Sequence, residues 1–385
     1  MLVKPKNYLF EKMAFITKPI RRRPIGRGRL GLPLPQALAK FRWLLAPLLP
    51  LLWLFRFVIF AKNFCYDRGF FKSKRLPAFV ISIGNLSVGG TGKTPATIFL
   101  AAALRDQGWR VAIVSKGYRR EGTASVIVSD GRRILADAVT AGDEPLLMAQ
   151  ACDGVPVVVA RDKTTAAMAA DEKFAPDIIL VDDGFQHRRL QRDIDVVMVD
   201  ARMLLSNLWW FPAWPMREPA TALRRAGFVI LNTGGCSDCE RMMKKCRRYT
   251  AAKIFSGALR GLGWRDLTAA QKILPLDFVK DQPVLLVSGI AHPERFRELA
   301  EKFGARVVDE ITFADHHRYR ENDLGAIEAT RKGSGARYIL TTSKDAGKLG
   351  LLPGATAAPF LVLETVFDIE PPFLTELVEA IRHKR

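Results

Sequence analysis

Phe79-Val-Ile-Ser-Ile83, then Gly84-Asn-Leu-Ser-Val-Gly-Gly-Thr-Gly-Lys-Thr94, then Ala96-Thr-Ile-Phe-Leu-Ala-Ala-Ala-Leu-Arg105 is the stretch that decides the fold. An apolar run, a glycine-rich loop and a helical run stand in the order strand, loop, helix. Gly92, Lys93 and Thr94 fit the second half of the pattern G-x-x-x-x-G-K-[ST], while Ser87 stands where its first glycine belongs. Gly89, Gly90 and Gly92 let the backbone turn its N–H groups towards an anion, and the helix N-terminus adds positive potential. Ser87, Val88, Gly89, Gly90, Thr91, Gly92, Lys93 and Thr94 are therefore expected to cradle the phosphates of a nucleotide. Lys93 would reach the β- and γ-phosphates and Thr94 would hold Mg²⁺. Pro95 suits the first helical turn, where its missing N–H costs nothing.

Outward from this motif, short β-rich runs at 109–114, 155–160, 178–181, 196–199 and 228–231 alternate with helical patterns such as 144–151 and 164–173. That rhythm predicts a mostly parallel sheet covered on both faces. It breaks around 250–280 and restarts with strands at 284–288, 306–308 and 338–342 and helices at 293–303 and 321–332. The expected architecture is α/β: a P-loop NTPase-type core over 63–255, a second, smaller α/β domain over 256–385, and a membrane-associated helix ahead of both.

A nucleotide site needs an acid for its metal. Ile178-Ile-Leu-Val-Asp-Asp-Gly-Phe-Gln-His187 ends an apolar strand in two carboxylates, where ligands gather in an open parallel sheet. Asp182 and Asp183 are the expected Mg²⁺ ligands. Asp200, ending Val196-Val-Met-Val199, is a rival by the same logic, and any of the three can instead cap a turn. His187 reads as a structural hydrogen-bonder. Asp143, in Ala141-Gly-Asp-Glu-Pro145, fits either a helix N-cap or a role in proton transfer. Thr312-Phe-Ala-Asp-His-His-Arg-Tyr319 carries two further candidates for a base, His316 and His317. Lys116, Arg119 and Arg120, in Lys116-Gly-Tyr-Arg-Arg120, and Arg217, in Met216-Arg-Glu-Pro219, fit a substrate phosphate or solvated turns.

The chain has 385 residues and a formal net charge of +20. Residues 1–80 hold 17 Lys and Arg against two acids, Glu11 and Asp67, so the remainder is nearly balanced. With 49% hydrophobic residues, the composition is globular and excludes a disordered chain. Residues 1–35 read as a basic flexible extension. Residues 36–62 contain the apolar run Trp43-Leu-Leu-Ala-Pro-Leu-Leu-Pro-Leu-Leu-Trp-Leu-Phe55, interrupted after it by Arg56 and carrying Pro47 and Pro50 as expected kinks. An amphipathic or shallowly inserted helix fits better than a span of about 20 apolar residues. Charge gathered around an apolar helix, without interleaved base-stacking aromatics, argues for a membrane surface and against nucleic acid. The alternative class, a membrane-associated P-loop motor or switch, lacks a guanine-reading N-K-x-D motif at Thr342-Ser-Lys-Asp345. Five sparse cysteines do not form a disulfide framework, and Cys236, Cys239 and Cys246 have no evident fourth ligand for a zinc site.

Taken together, Gly84–Pro95, Lys116–Arg119, Gly142–Pro145, Val181–His187, Arg217–Pro219, Phe313–His316 and Thr342–Asp345 resemble the tetraacyldisaccharide 4'-kinase family of lipid A biosynthesis. The match runs in family order from about residue 36; residues 1–35 and the cysteine group lie outside the pattern. The resemblance implies transfer of the γ-phosphate of ATP to the 4'-hydroxyl of a tetraacylated glucosamine disaccharide 1-phosphate, giving lipid IV-A. It also implies Mg²⁺, a lipid-linked acceptor and work at the cytoplasmic face of the inner membrane; no protein partner is inferred. It pairs Asp143 with His316 near the acceptor hydroxyl and makes His317 the lesser candidate. Closure of the two domains is the expected route by which that pair assembles.

Overall fold

The strand ahead of the glycine-rich loop, β1 (Phe79–Asn85), is buried at every residue. Both its faces are covered, as a near-continuous apolar run demands of a central strand in a parallel sheet. The computed structural model describes residues 20–21, 49–87, 89–117, 120, 122–201, 216–234, 239–267 and 272–384. They fall into two units, Leu30–Leu262 with Thr365–Arg385, and Met1–Arg29 with Gly263–Glu364.

In the larger unit, α1 (Leu49–Asp67) precedes β1, and α2 (Lys93–Asp106) follows it. Next come β2 (Val111–Ser115), β3 (Val126–Asp130), α3 (Asp143–Ala151), β4 (Pro156–Val159), α4 (Lys163–Phe174), β5 (Ile178–Asp182), β6 (Ile194–Asp200), β7 (Phe228–Asn232), α5 (Cys239–Arg247) and β8 (Lys253–Asp266). The strands lie in the order β8-β7-β6-β1-β5-β2-β4-β3. All neighbours are parallel except β3, which runs antiparallel to β4. Strand β1 therefore sits between β5 and β6, with Ile83 in register with Asp182. This order puts the glycine-rich loop and the acid pair at one sheet edge. On one face Ile81, Ile83 and Ile113 pack with Leu100 and Leu104 of α2 and Met148 of α3. On the other, Val80, Val114 and Ile179 pack with Ala166, Ala167 and Ala170 of α4.

The smaller unit carries β9 (Pro283–Ser288), α6 (Pro293–Lys302), β10 (Arg306–Thr312), α7 (Glu321–Ser334), β11 (Tyr338–Thr342), α8 (Ser343–Leu349) and the start of β12 (Phe360–Ile369). Its order is β10-β9-β11-β12, all parallel. The short strand Ile20–Arg21 pairs antiparallel with the outer edge of β10. Leu285, Val287 and Ile339 face one core and Val284, Leu286 and Leu340 another, the period-two alternation of a sheet covered on both sides.

The units' limits differ from the expected division at 255/256. Strand β8 runs without a break through that point, because 253–266 contains no turn signal strong enough to end it. The last segment also returns to the larger unit, where Phe373, Leu377, Val378 and Ile381 of α9 (Pro372–Lys384) join the β1 core.

Helix α1 covers only part of the expected 36–62 segment; 36–48, with Pro47, lie outside the described residues, as do 1–19 and 22–35 of the extension. Pro50 is the second residue of the described helix, a position where a proline breaks no intrahelical bond. The helix runs on to Asp67 because no breaker precedes Gly69. No helix among the described residues is long and apolar enough to cross a membrane.

Candidate active site

The loop after β1 is tied down by side chains from two strand ends. Asn85 closes β1 and donates from Nδ2 to Thr91 Oγ1 at 2.9 Å. Asn232 closes β7 and donates from Nδ2 to the Thr91 carbonyl at 2.9 Å. Gly92 is the residue before α2 and has φ 90°, the left-handed region. A Cβ there would also meet the Phe367 ring at 2.8 Å, so glycine is required on both counts. Ser87, in the place of the pattern's first glycine, is buried and bridges antiparallel to Met216. Thr94 and Pro95 lie in the first turn of α2. Val88 lies outside the described residues.

Lys93 opens α2 and reaches the acid pair: its Nζ is 3.3 Å from Asp183 Oδ1. Arg217 Nη1 donates to both Asp183 oxygens at 2.9 Å. Arg217 gets there because its backbone N–H donates to the Leu86 carbonyl at 2.7 Å, which lays its segment along the start of the glycine-rich loop. Lys163, a buried lysine at the head of α4, donates to the Asp183 carbonyl. Burial opposes the Asp183 charge, but Lys93, Lys163 and Arg217 outweigh it and hold the carboxyl down at about 2. The backbone of Asp183 is itself left-handed, with φ 51°, a strained state for a residue other than glycine.

Asp182 is the opposite case. It is fully buried at the end of β5, accepting from Ser115 Oγ at 3.2 Å and Thr97 Oγ1 at 3.5 Å. Burial, then the charges of Glu144 and Asp183, push its carboxyl up to about 7. Two adjacent acids are thus driven in opposite directions, a pattern typical of functional sites. The other rival, Asp200, is buried at the end of β6, in register with Asn232.

Gly142, with φ 90°, is the N-cap of α3, and Asp143 is the first residue of the helix. The N-cap reading of Asp143 does not hold; its half-buried carboxylate stands beside Glu144, which interacts with Asp182. Lys116 is exposed. Arg120 donates from Nη2 to the Ala124 carbonyl at 2.5 Å, bracing its own loop. Arg119 lies outside the described residues. His187 is 3.0 Å from Thr164 Oγ1 and 3.4 Å from Asp162, and burial pushes its imidazole down to about 4, the condition of a neutral structural histidine.

In the smaller unit, the turn after β10 separates its two histidines. His317 stacks on Phe313 with centroids 4.6 Å apart and is 3.0 Å from Asp323, so it is held within the fold. His316 has φ 64° and stands beside Asp315 and Lys344, with Nε2 3.2 Å from Lys344 Nζ.

A family model described as tetraacyldisaccharide-1-P 4'-kinase matches residues 43–382. The chain belongs to that family. A tetraacyldisaccharide 4'-kinase of Syntrophus aciditrophicus is 40% identical over 80% of this chain and 86% of its own length. One of Pelobacter propionicus is 36% identical over 89% and 93%. The crystal structure of the Aquifex aeolicus family member LpxK, in complex with ATP, superposes with a TM-score of 0.71 at 31% identity, covering 89% of this chain and 99% of that one. The P-loop-type α/β architecture is thus shared along nearly the whole relative. Among the described residues, Asn85, Asn232, Lys163 and Glu144 are parts of the site that the sequence reading missed. Their signal is position alone: each ends a strand or begins a helix at the same sheet edge.

Proposed function

We propose that the protein transfers the γ-phosphate of ATP to the 4'-hydroxyl of a tetraacylated glucosamine disaccharide 1-phosphate, giving lipid IV-A. Family membership makes the chain a kinase. The observation that carries the reading is the junction of Lys93, Arg217 and the Asp182–Asp183 pair beside a glycine-rich loop at one sheet edge. Phosphoryl transfer has a loose transition state, so positioning and charge neutralisation dominate it. The loop N–H groups and Lys93 are suited to the β- and γ-phosphates. A phosphate arriving at Lys93 would compete with Asp183 for that cation, and Arg217 would keep the carboxylate in place during the exchange.

Mg²⁺ fits the donors present. Thr94, Asp182 and Asp183 offer hard oxygens, and Mg²⁺ is ordinarily held by one or two carboxylates together with substrate phosphates. The Asp182 carboxyl, pushed up by burial and then by neighbouring acids, is one that a cation would return to its charged form. When bound, the ion would neutralise charge on the transferring phosphoryl group. Asp143 and His316 have the chemistry to take up the proton of the acceptor hydroxyl. Lys116, Arg119 and Arg120 remain candidates for the acceptor's phosphate, with Arg120 the weakest because it braces its own loop.

Helix α1 supports a membrane-surface site. Trp53, Phe57, Phe60 and Phe64 recur at helical spacing, and the first three are 60%, 64% and 65% exposed. The docked side is different: Ile59 packs against the Phe185 cluster, Lys62 Nζ donates to the Gln186 carbonyl at 3.0 Å, and Arg188 is 2.7 Å from Asp67. The segment gripping α1 is thus the one that follows Asp182 and Asp183. An apolar stripe placed there would lay the site against the cytoplasmic face of the inner membrane, where the acceptor's acyl chains reside. The test is the mass of the lipid product after incubation with ATP and the disaccharide acceptor: a gain of one phosphate at the 4' position is expected, and no gain overturns the reading.

A further inference from the structure

Lys344, within the Thr342–Asp345 stretch, has been given no role so far, yet it faces His316. It is the second residue of α8, directly after β11. Its Nζ donates to Asp315 Oδ1 at 2.8 Å and lies 3.2 Å from His316 Nε2. An ammonium has only hydrogens to offer, so the imidazole nitrogen facing it must be the acceptor. In a neutral imidazole the proton then belongs on Nδ1. We propose that Lys344 is a positioning residue that locks His316 as its Nδ1–H tautomer, its ammonium donating to Nε2 and fixing the ring. The inference rests on the reading of His316 as a residue acting at the acceptor hydroxyl.

The surroundings are built to hold this arrangement. His316 is kept in the left-handed backbone region, where a residue other than glycine persists only if its neighbours over-determine it. Its N–H donates to the Gly289 carbonyl at 3.4 Å, and the Gly289 N–H donates to Asp345 Oδ2 at 3.0 Å. Asp345 is wholly buried, and it also accepts from Thr342 Oγ1 at 2.8 Å. Residues 344 and 345 of one helix therefore fix the same histidine twice, 344 at the ring and 345 through the backbone. A Cβ on residue 289 would meet Asp345 Oδ1 at 3.1 Å and Tyr319 Oη at 3.2 Å, so the glycine allows the close approach. Charged groups facing the His316 ring include Asp315 and Lys344. Asp315 offsets the lysine charge and aims it at the imidazole.

The test uses the full chain labelled with ¹⁵N-histidine. The chain has five histidines, so the His316 ring signals can be assigned by their loss in His316→Gln. The expected result is an Nδ1–H tautomer for His316 that is lost in Lys344→Met. The same variant should lower kcat about 10- to 100-fold, as loss of a group orienting a functional histidine does, with KM for ATP nearly unchanged. Lys344→Arg should keep the tautomer. If Lys344→Met fails to fold, Asp315→Asn removes the lysine's anchor and should weaken the preference. An Nε2–H tautomer in the wild type, or a tautomer indifferent to both variants, overturns the proposal. Full kcat in His316→Gln, with the tautomer lock observed, would instead remove His316 from the reaction while leaving the Lys344 contact standing.

Discussion

Asp182→Asn should make the protein more stable and inactive at the same time. The Asp182 carboxyl ordinarily titrates at 3.8, and burial with the charges of Glu144 and Asp183 pushes it to about 7. Below pH 3.8 it is protonated in both folded and unfolded chains, and its charge costs nothing. As pH rises towards 7 the unfolded chain ionises while the folded one keeps its proton, so stability falls through that window. At about 1.4 kcal/mol per unit, charging the group by pH 8 costs the fold about 4 kcal/mol at most. An amide carries no charge and escapes that cost, though it also loses part of the Ser115 and Thr97 hydrogen bonding. A net gain of about 2–3 kcal/mol, or roughly 5 °C in the melting temperature, is the expected difference at pH 8 without divalent cations. The assay is thermal unfolding of wild type and variant in a chelator from pH 5 to pH 8. The gap should be small at pH 5, widen with pH, and shrink when Mg²⁺ and ATP are added, because only the wild type can use the cation. A gap that ignores pH, or a variant less stable than wild type at pH 8, would refute the account of this carboxylate.

Lys93→Ala should cut phosphoryl transfer by about 10²–10³-fold or more, as removal of a charge-stabilising donor does; near-wild-type turnover in a kinase assay would sink the phosphate-loop role. It should also leave Asp183 with Arg217 and Lys163 as its cations, so the fold should survive by circular dichroism. Asp143→Ala and His316→Ala should each lower kcat strongly, and the double variant should lose far less than the product of the two. Steady-state rates decide this, and fully additive losses would mean separate jobs. Replacing Trp53, Phe57 and Phe60 with serine should release the protein from anionic lipid vesicles in a flotation assay and raise the KM for the lipid acceptor. ATP affinity should hardly change, since these side chains are exposed; loss of ATP binding would count against the membrane role.

Much of the larger unit is legible in the sequence because its strands are buried on both faces and so read as apolar runs. Strands β1, β5, β6 and β7 each carry that mark, and each ends in a polar residue at the edge that carries the glycine-rich loop. Strand β3 was missed because it is an edge strand, only partly buried, in Val126-Ile-Val-Ser-Asp130. Helix α5 was missed because its stripe is narrow: Met242 and Cys246 alone are buried among basic residues. Within the candidate site, local pattern is enough to single out Lys93, Asp182 and Asp183 as candidates. Asn232 and Lys163 carry no local pattern, because what brings them to Thr91 and Asp183 is strand order. The sequence likewise could not separate Asp182 from Asp183, since the cations that set them apart arrive from α2, α4 and the Met216–Pro219 segment.

The return of the last segment to the larger unit also sets a schedule for synthesis. Phe367, Ile369, Phe373, Leu377 and Ile381 belong to the core that supports β1, and the Phe367 ring packs against Gly92. On a ribosome these residues emerge after the entire 263–364 segment of the smaller unit, which can complete most of its own core first. The phosphate loop is therefore set on its finished support only when translation has passed about residue 381. A nascent chain stalled before that point holds Lys93 and both aspartates but lacks one wall of their scaffold, so premature products should be proteolysed rather than left to bind nucleotide.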